Sequence, residues 1–188
     1  GLTPSGTMAH EYFQTWQVLA SSFETSQKEA LEAWVNEYPD KLKIALTDIF
    51  GTDIFLLDFT KELADKYQGT RQDSGIPRDH AWKMKKHYDA IGIDSKTKTM
   101  LFSDDLNFKK AHDLEVEFRN TFNTIFGIGT YCSNDTGHKP VSIVMKIVRV
   151  NGIDVIKKSD SEGKVMCENN EVIKATDEMI RKRIASRI

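Results

Sequence analysis

The chain has 188 residues with 26 basic and 28 acidic side chains, enough length for one good core or for half of a larger one. That even balance, without a basic tail or patch, argues against nucleic acid or an anionic membrane as a partner. No apolar run approaches a membrane span, no signal peptide is visible, and Cys132 and Cys167 lack metal-ligand spacing, so a reduced, cytoplasmic setting is expected.

The opening Gly1-Leu2-Thr3-Pro4-Ser5-Gly6 has no initiator Met and reads as the interior of a longer chain. Thr7-Met8-Ala9-His10-Glu11 begins a helical pattern continuing through Phe13, Trp16, Gln17 and Ala20, with Thr7 placed to cap it and His10 in its first turn. A second helix is expected over 26–38, where Ser26 and Glu29 have capping-box spacing, ahead of Pro39. Residues 41–47 form an apolar run ending in Asp48, a buried strand. Helices follow from Gly51-Thr52-Asp53 and over 60–67.

The alternation then repeats. A short strand at 69–72 ends in Asp73 and precedes a helix over 77–91, which Pro77 can start. A strand at 98–102 ends in Ser103-Asp104 before a helix over 107–119, and one at 121–126 ends in Gly127-Ile128-Gly129-Thr130. Residues 141–150 are the longest β-like run; Asn151-Gly152 signals a hairpin, with 154–158 as the returning strand. A charged helix from about residue 171 closes the chain. Alternating strands and helices imply parallel βαβ units and an α/β class. Residues 1–150 form the main body, and 151–188 a hairpin and helix appended to the same domain. Phe13, Trp16, Trp34, Phe55, Phe59 and Trp82 fall at helical spacings and are assigned to the core. His87, His112 and His138 are read as surface or structural.

The chemistry concentrates at strand ends. Arg71-Gln72-Asp73-Ser74-Gly75 offers a planar fork for a carboxylate or phosphate, an acceptor for sugar hydroxyls, and a hydroxyl and glycine that admit an anion close to backbone N–H groups. An ordinary strand-to-helix turn uses the same Asp, Ser and Gly. In a parallel barrel the strand ends converge on one face, so Asp48, Asp73, Asp104 and the 127–130 loop would share a rim, the loop suiting phosphate. His10 is either a catalyst or a satisfied polar residue of a first turn.

In this order, Gly6-Thr7-Met8-Ala9-His10-Glu11, Ile44-Ala45-Leu46-Thr47-Asp48 with Gly51-Thr52-Asp53, Arg71-Gln72-Asp73-Ser74-Gly75, Phe102-Ser103-Asp104, Phe126-Gly127-Ile128-Gly129-Thr130 and Ser159-Asp160-Ser161-Glu162-Gly163-Lys164 resemble the nicotinate phosphoribosyltransferase family, over nearly the whole chain. The resemblance implies the C-terminal half of a family chain, with an irregular α/β barrel of the type II phosphoribosyltransferase kind left incomplete and the N-terminal half and a homodimer partner needed to complete the site. It implies ATP-coupled synthesis of nicotinate mononucleotide and diphosphate from nicotinate and 5-phosphoribosyl-1-diphosphate in NAD salvage. His10 would be the phosphohistidine. Thr7 and Arg71 would hold nicotinate, Thr130 and the N–H groups of Gly127 and Gly129 would hold phosphate of the phosphoribosyl substrate, and Ser74 and Gly75 would be substrate-binding as well. Asp73 and Asp104 would serve the ribose or a diphosphate carrying Mg2+, with no metal ligand assigned directly. Ile76 and Asp105 depart from the family pattern, which often has Asp at the first position and a small residue at the second. Two other readings remain: a different sugar-phosphate barrel enzyme, or a ligand-binding half without turnover.

Overall fold

The computed structural model describes residues 6–134, 136–141, 143–161 and 163–186; the expectations placed on residues 1–5, on Glu162 and on the last two residues lie outside them. Helix α1 (His10–Leu19) starts later than expected, and Thr7 is not its cap. Its hydroxyl instead donates to the Ile44 carbonyl at 2.7 Å, fastening the incoming segment to the first strand. Helix α2 (Ser26–Glu37) starts where expected, but the capping box does not form. Glu29 accepts from the Ser21 N–H and the Thr25 hydroxyl, while the Ser26 hydroxyl turns back to the Phe23 carbonyl, so the turn before the helix takes both partners.

Strand β1 (Ile44–Leu46) is followed by helices α3 (Thr52–Asp58) and α4 (Lys61–Lys66), then strand β2 (Gly69–Gln72), helix α5 (Pro77–Ala90), strand β3 (Thr99–Phe102), helix α6 (Phe108–Phe118) and strand β4 (Asn123–Phe126). All neighbouring pairs in the β1-β2-β3-β4 sheet are parallel, as helical crossovers require. Leu46 stands beside Arg71, Arg71 beside Leu101 and Leu101 beside Ile125, which carries Asp48, Asp73, Ser103 and Gly127 to one end of the sheet. Among the described residues the sheet is open and does not close into a barrel.

The core lies between sheet and helices. Phe55 and Phe59 stack at 4.6 Å, and Tyr67, Tyr88, Phe102 and Phe118 are fully buried with them. Each such ring contributes about 1.5–3 kcal/mol by leaving water. Trp82 departs from its core assignment: it is 48% exposed, resting on Phe118 while its indole N–H reaches Glu117. An indole with a polar handle settles at such a border.

After β4 comes a one-turn helix, α7 (Thr130–Ser133). The long strand expected over 141–150 is reduced to β5 (Arg149–Val150), which pairs with β6 (Ile153–Asp154) around Asn151 and Gly152, both at positive φ as a tight hairpin turn demands. Val141, Ile143, Val144 and Met145 are exposed. β-propensity is realised through a partner strand and a buried face, and among the described residues this run has neither. The expected returning strand divides, since β7 (Lys157–Lys158) pairs with β8 (Val165–Met166) instead. Helix α8 (Asn170–Ala185) packs on α3, where Arg183 meets the buried Asp58 carboxylate, which also accepts from Gln27.

Candidate active site

Asp48, just past β1 and almost fully buried, is the centre of the site. One carboxylate oxygen accepts from His10 Nε2 at 2.8 Å; the other accepts from the Ser74 hydroxyl at 2.7 Å and from Lys157 Nζ at 2.8 Å. Burial works to raise the Asp48 carboxyl, but His10 and then Lys157, through hydrogen bonds and charge, hold it well below the ordinary carboxylate range. An ionised Asp48 only accepts, so His10 Nε2 carries the hydrogen, and in the neutral ring the lone pair sits on Nδ1. His10 is buried at the first position of α1 and also lies 3.6 Å from Asp73. His10, Asp48 and Asp73 bring polar atoms within 4.8 Å of one another, but a His10 Nε2 that donates to Asp48 has no lone pair to offer a cation. The Lys157 ammonium already supplies positive charge on Asp48.

The end of β2 carries the second cluster. Arg71 Nη2 binds Asp73, and its Nε donates to the Ser103 hydroxyl at 2.8 Å. The Ser103 hydroxyl in turn reaches Asp73 at 2.9 Å. The guanidinium is thereby held in one plane by its own chain and remains about a quarter exposed, able to meet a further carboxylate. Asp104 is half-buried, and its carboxyl is raised by that burial and by Asp73, Asp105 and Asp48, against the pull of Lys164. A crowd of acids of this kind favours a cationic visitor.

Beyond β3 and β4 lies a cleft of about 680 Å³, lined by Ser103, Asp105, Gly127, Gly129, Thr130 and His138 among others. The Gly127 N–H is not offered to it. That group donates to the Phe102 carbonyl at 2.8 Å and prolongs the sheet, and a Cβ on Gly127 would press on Ser103 at 3.2 Å. Gly127 therefore provides room, a correction to its expected role as a phosphate donor. Gly129, with open space around its Cα, precedes α7, and Thr130 begins it. These two positions remain on the cleft wall with Ser103.

Three residues of the site escaped the sequence reading. Lys157 and Asp160 come from the far end of the chain; Asp160 lies in the Ser159-to-Lys164 segment that resembles the family but carried no assigned role, and Lys157 had no signal beyond the polar stretch 157–161 itself. His80, in the first turn of α5, is buried and pairs through Nδ1 with the Thr52 hydroxyl at 3.2 Å. Of the two departures from the family pattern, Asp105 sits at φ 47°, a left-handed conformation that suits glycine, and Asp is among the few side chains that tolerate it. Ile76 occupies the N-cap of α5 with extended backbone and no side-chain cap, and is 64% exposed. Ile76→Asp is expected to stabilise the chain by about 1 kcal/mol by capping α5, measurable as a raised urea midpoint at unchanged slope.

Acids, an oriented imidazole and a glycine-lined cleft at the C-terminal edge of a parallel sheet define an α/β protein with its site at the strand ends. Residues 1–182 match the nicotinate phosphoribosyltransferase (NAPRTase) family, and the chain belongs to it. It is 50% identical over 174 residues to the nicotinate phosphoribosyltransferase of Photorhabdus laumondii, covering 92% of this chain and 43% of that one. It is 48% identical over 176 residues to that of Sodalis glossinidius, covering 93% and 44%. A crystal structure of nicotinate phosphoribosyltransferase from Vibrio cholerae superposes with a TM-score of 0.92 at 39% identity, over 96% of this chain and 44% of that one. A structure described as a putative nicotinate phosphoribosyltransferase from Saccharomyces cerevisiae superposes at 0.87 with 34% identity, over 95% and 46%. The chain thus spans less than half the length of these relatives. Among the described residues no helix is long and apolar enough to cross a membrane.

Proposed function

We propose that the chain carries the phosphohistidine and part of the substrate site of a cytoplasmic nicotinate phosphoribosyltransferase. Nicotinate and 5-phosphoribosyl-1-diphosphate would give nicotinate mononucleotide and diphosphate, while ATP and water give ADP and phosphate. The observation that supports this reading best is the buried His10, whose Nε2–H is taken by Asp48. Its Nδ1 lone pair attacks the γ-phosphorus of ATP; the Nδ1–P bond forms as the bond to the β,γ-bridging oxygen breaks and ADP leaves. Asp48 stabilises the positive charge that grows on the ring. Water later takes the phosphoryl group from Nδ1, restoring His10 and releasing phosphate.

Arg71 meets the nicotinate carboxylate with the edge of its guanidinium not turned to Asp73 and Ser103. Thr7 adds only acceptor capacity, its hydrogen being taken by Ile44. Thr130 and Gly129 receive a phosphate of the ribosyl donor at the cleft, with Ser74 and Gly75 bordering the site between β1 and β2. Positive charge develops on the ribose as diphosphate departs, so positioning and electrostatics dominate the chemistry. The acids Asp73 and Asp104 fit a Mg2+-carrying diphosphate, because Asp104 stands within electrostatic reach of Asp73, Asp105 and Asp48, like charges that a cation would offset. The ion would neutralise charge on the leaving diphosphate. The remaining half of a family-length protein and a second copy would close the barrel and complete the site, and this half alone would not turn over.

The test is γ-labelled ATP, with acid-labile phosphate mapped by mass spectrometry. The chain would be supplied with the N-terminal half of the Photorhabdus relative. Label on His10, discharged when nicotinate and the ribosyl donor are added, is the expected result. His10→Ala is expected to lose the label and the ATP stimulation while keeping weak basal synthesis. A folded, complemented protein that takes no label, or a His10→Ala variant with unchanged ATP dependence, overturns the reading.

A further inference from the structure

Asp160 lies in the loop between β7 and β8 and bridges the two loops that follow β1 and β2. Its carboxylate accepts from the Thr52 N–H at 2.7 Å and from the Thr52 hydroxyl at 2.6 Å. Its own N–H donates to the Ser74 hydroxyl oxygen at 3.1 Å, and the next residue, Ser161, accepts from the Gly75 N–H at 3.2 Å. Both loops are moulded on it. Gly51 and Gly75 adopt φ of 83° and 76°, and a Cβ on either would stand 3.2 Å from an Asp160 side-chain atom.

The consequence reaches His10. The Ser74 hydroxyl has one hydrogen, and it goes to Asp48 at 2.7 Å. Accepting the Asp160 N–H fixes the hydroxyl so that this hydrogen has one direction to take. Asp48 is then held on one oxygen by Ser74 and Lys157, which leaves the other oxygen to aim His10. Lys157 sits three residues before Asp160, and between them the Lys158 N–H binds the Ile49 carbonyl at 2.8 Å, so one segment grips the post-β1 turn from both sides.

We propose that Asp160 is a positioning residue for His10, acting from its anchor on Thr52 through Ser74 and Asp48. Its carboxylate locks the 157–161 segment, and the segment's N–H sets the hydrogen-bonded chain that orients the imidazole. The effect on chemistry rests on the reading of His10 given above; the effect on imidazole geometry does not.

Two readouts separate this from simple loop stapling. The first is the His10 Nε2–H proton resonance in the NMR spectrum of the chain, visible downfield because a buried imidazole–carboxylate bond slows its exchange. The second is the rate at which His10 takes label from ATP in the complemented protein. Asp160→Ala is expected to broaden the resonance and slow labelling about ten- to a hundredfold, with KM for ATP unchanged. Asp160→Asn, which keeps the shape and an acceptor for the Thr52 N–H, is expected to restore most of both. Thr52→Val is expected to give part of the same loss, and the pair Asp160→Ala with Thr52→Val to be no worse than Asp160→Ala alone. An unaltered resonance in Asp160→Ala overturns the proposal, as does full additivity of the two substitutions. Should Asp160→Ala fail to fold, the resonance of Asp160→Asn combined with Thr52→Val decides the matter. A sharp wild-type resonance on a His10 that never takes label would overturn the functional reading alone.

Discussion

Asp48→Ala is expected to destabilise the chain by about 3–5 kcal/mol, because it leaves the Lys157 ammonium in a buried position without its counter-charge. The Ser74 hydroxyl and His10 Nε2–H lose their acceptor at the same stroke. The expected signature is a lower urea midpoint with the slope retained. Asp48→Asn separates stability from chemistry. The amide keeps the shape and can turn its oxygen to Ser74 and Lys157, but its NH2 then faces His10 Nε2. Donor meets donor until the imidazole moves its hydrogen to Nδ1, and the lone pair that would attack phosphorus is gone. Labelling of His10 is therefore expected to fall at least about a hundredfold, by the same loss of the correct tautomer that disables a catalytic triad. Labelling of the Asp48→Asn variant at the wild-type rate would sink the assignment of Nδ1 as the nucleophile. Lys157→Met tests the other side of the pair. An apolar side chain of similar length removes one buried charge and leaves Asp48 with His10 and Ser74, so the loss of stability should be smaller than for Asp48→Ala.

The parts of the fold legible in the sequence were those governed by local chemistry. Residues 69–72 were bounded as a strand because Gly69 and Asp73 punctuate the run, and Pro77 marked the start of α5. Alternation of strands and helices gave the parallel order, and the register then carried Asp48 and Asp73 to one edge. What could not be read is what distant segments supply. Lys157 meets Asp48 across 109 positions, and Asp160 meets Thr52 across 108. Neither has a periodicity or a motif that names its partner. The Thr7 and Ser26 caps were misassigned because a hydroxyl beside a helix start can serve any nearby carbonyl, and in both cases one outside the helix won. Val141, Ile143, Val144 and Met145 misled for the opposite reason: their propensity is strong, but among the described residues no neighbouring strand receives them.

His80 is expected to make the chain acid-labile well above the range in which carboxylates titrate. Burial, with Lys83 acting in the same sense and Asp48 against it, depresses the imidazole from 6.5 to about 4. The unfolded chain binds that proton near pH 6.5 and the folded chain does not, so this contribution is present in full above pH 6.5. It declines as pH falls and is exhausted once the folded group titrates at about 4. A fall of that size corresponds to about 3 kcal/mol. Structure gives the reason for the low affinity: Nδ1 donates to the Thr52 hydroxyl, whose own hydrogen goes to Asp160, while Nε2 is buried and has no hydrogen-bond partner among the described residues. A proton added there would create a dry, unpaired donor on a charged ring. The neighbouring acids differ in window and sign. Asp48, held low, loses its contribution only below the ordinary carboxylate range, whereas Asp160, raised by burial, is protonated more readily when folded and so offsets part of the decline. His80→Asn isolates the histidine, since its amide N–H can replace Nδ1–H toward Thr52 without titrating. Urea unfolding across pH 7 to pH 4 should show a steep loss for the wild type and a much flatter one for His80→Asn. Parallel curves for the two proteins would mean that His80 accepts its proton in the folded state, and that the Thr52–Asp160 arrangement yields to admit it.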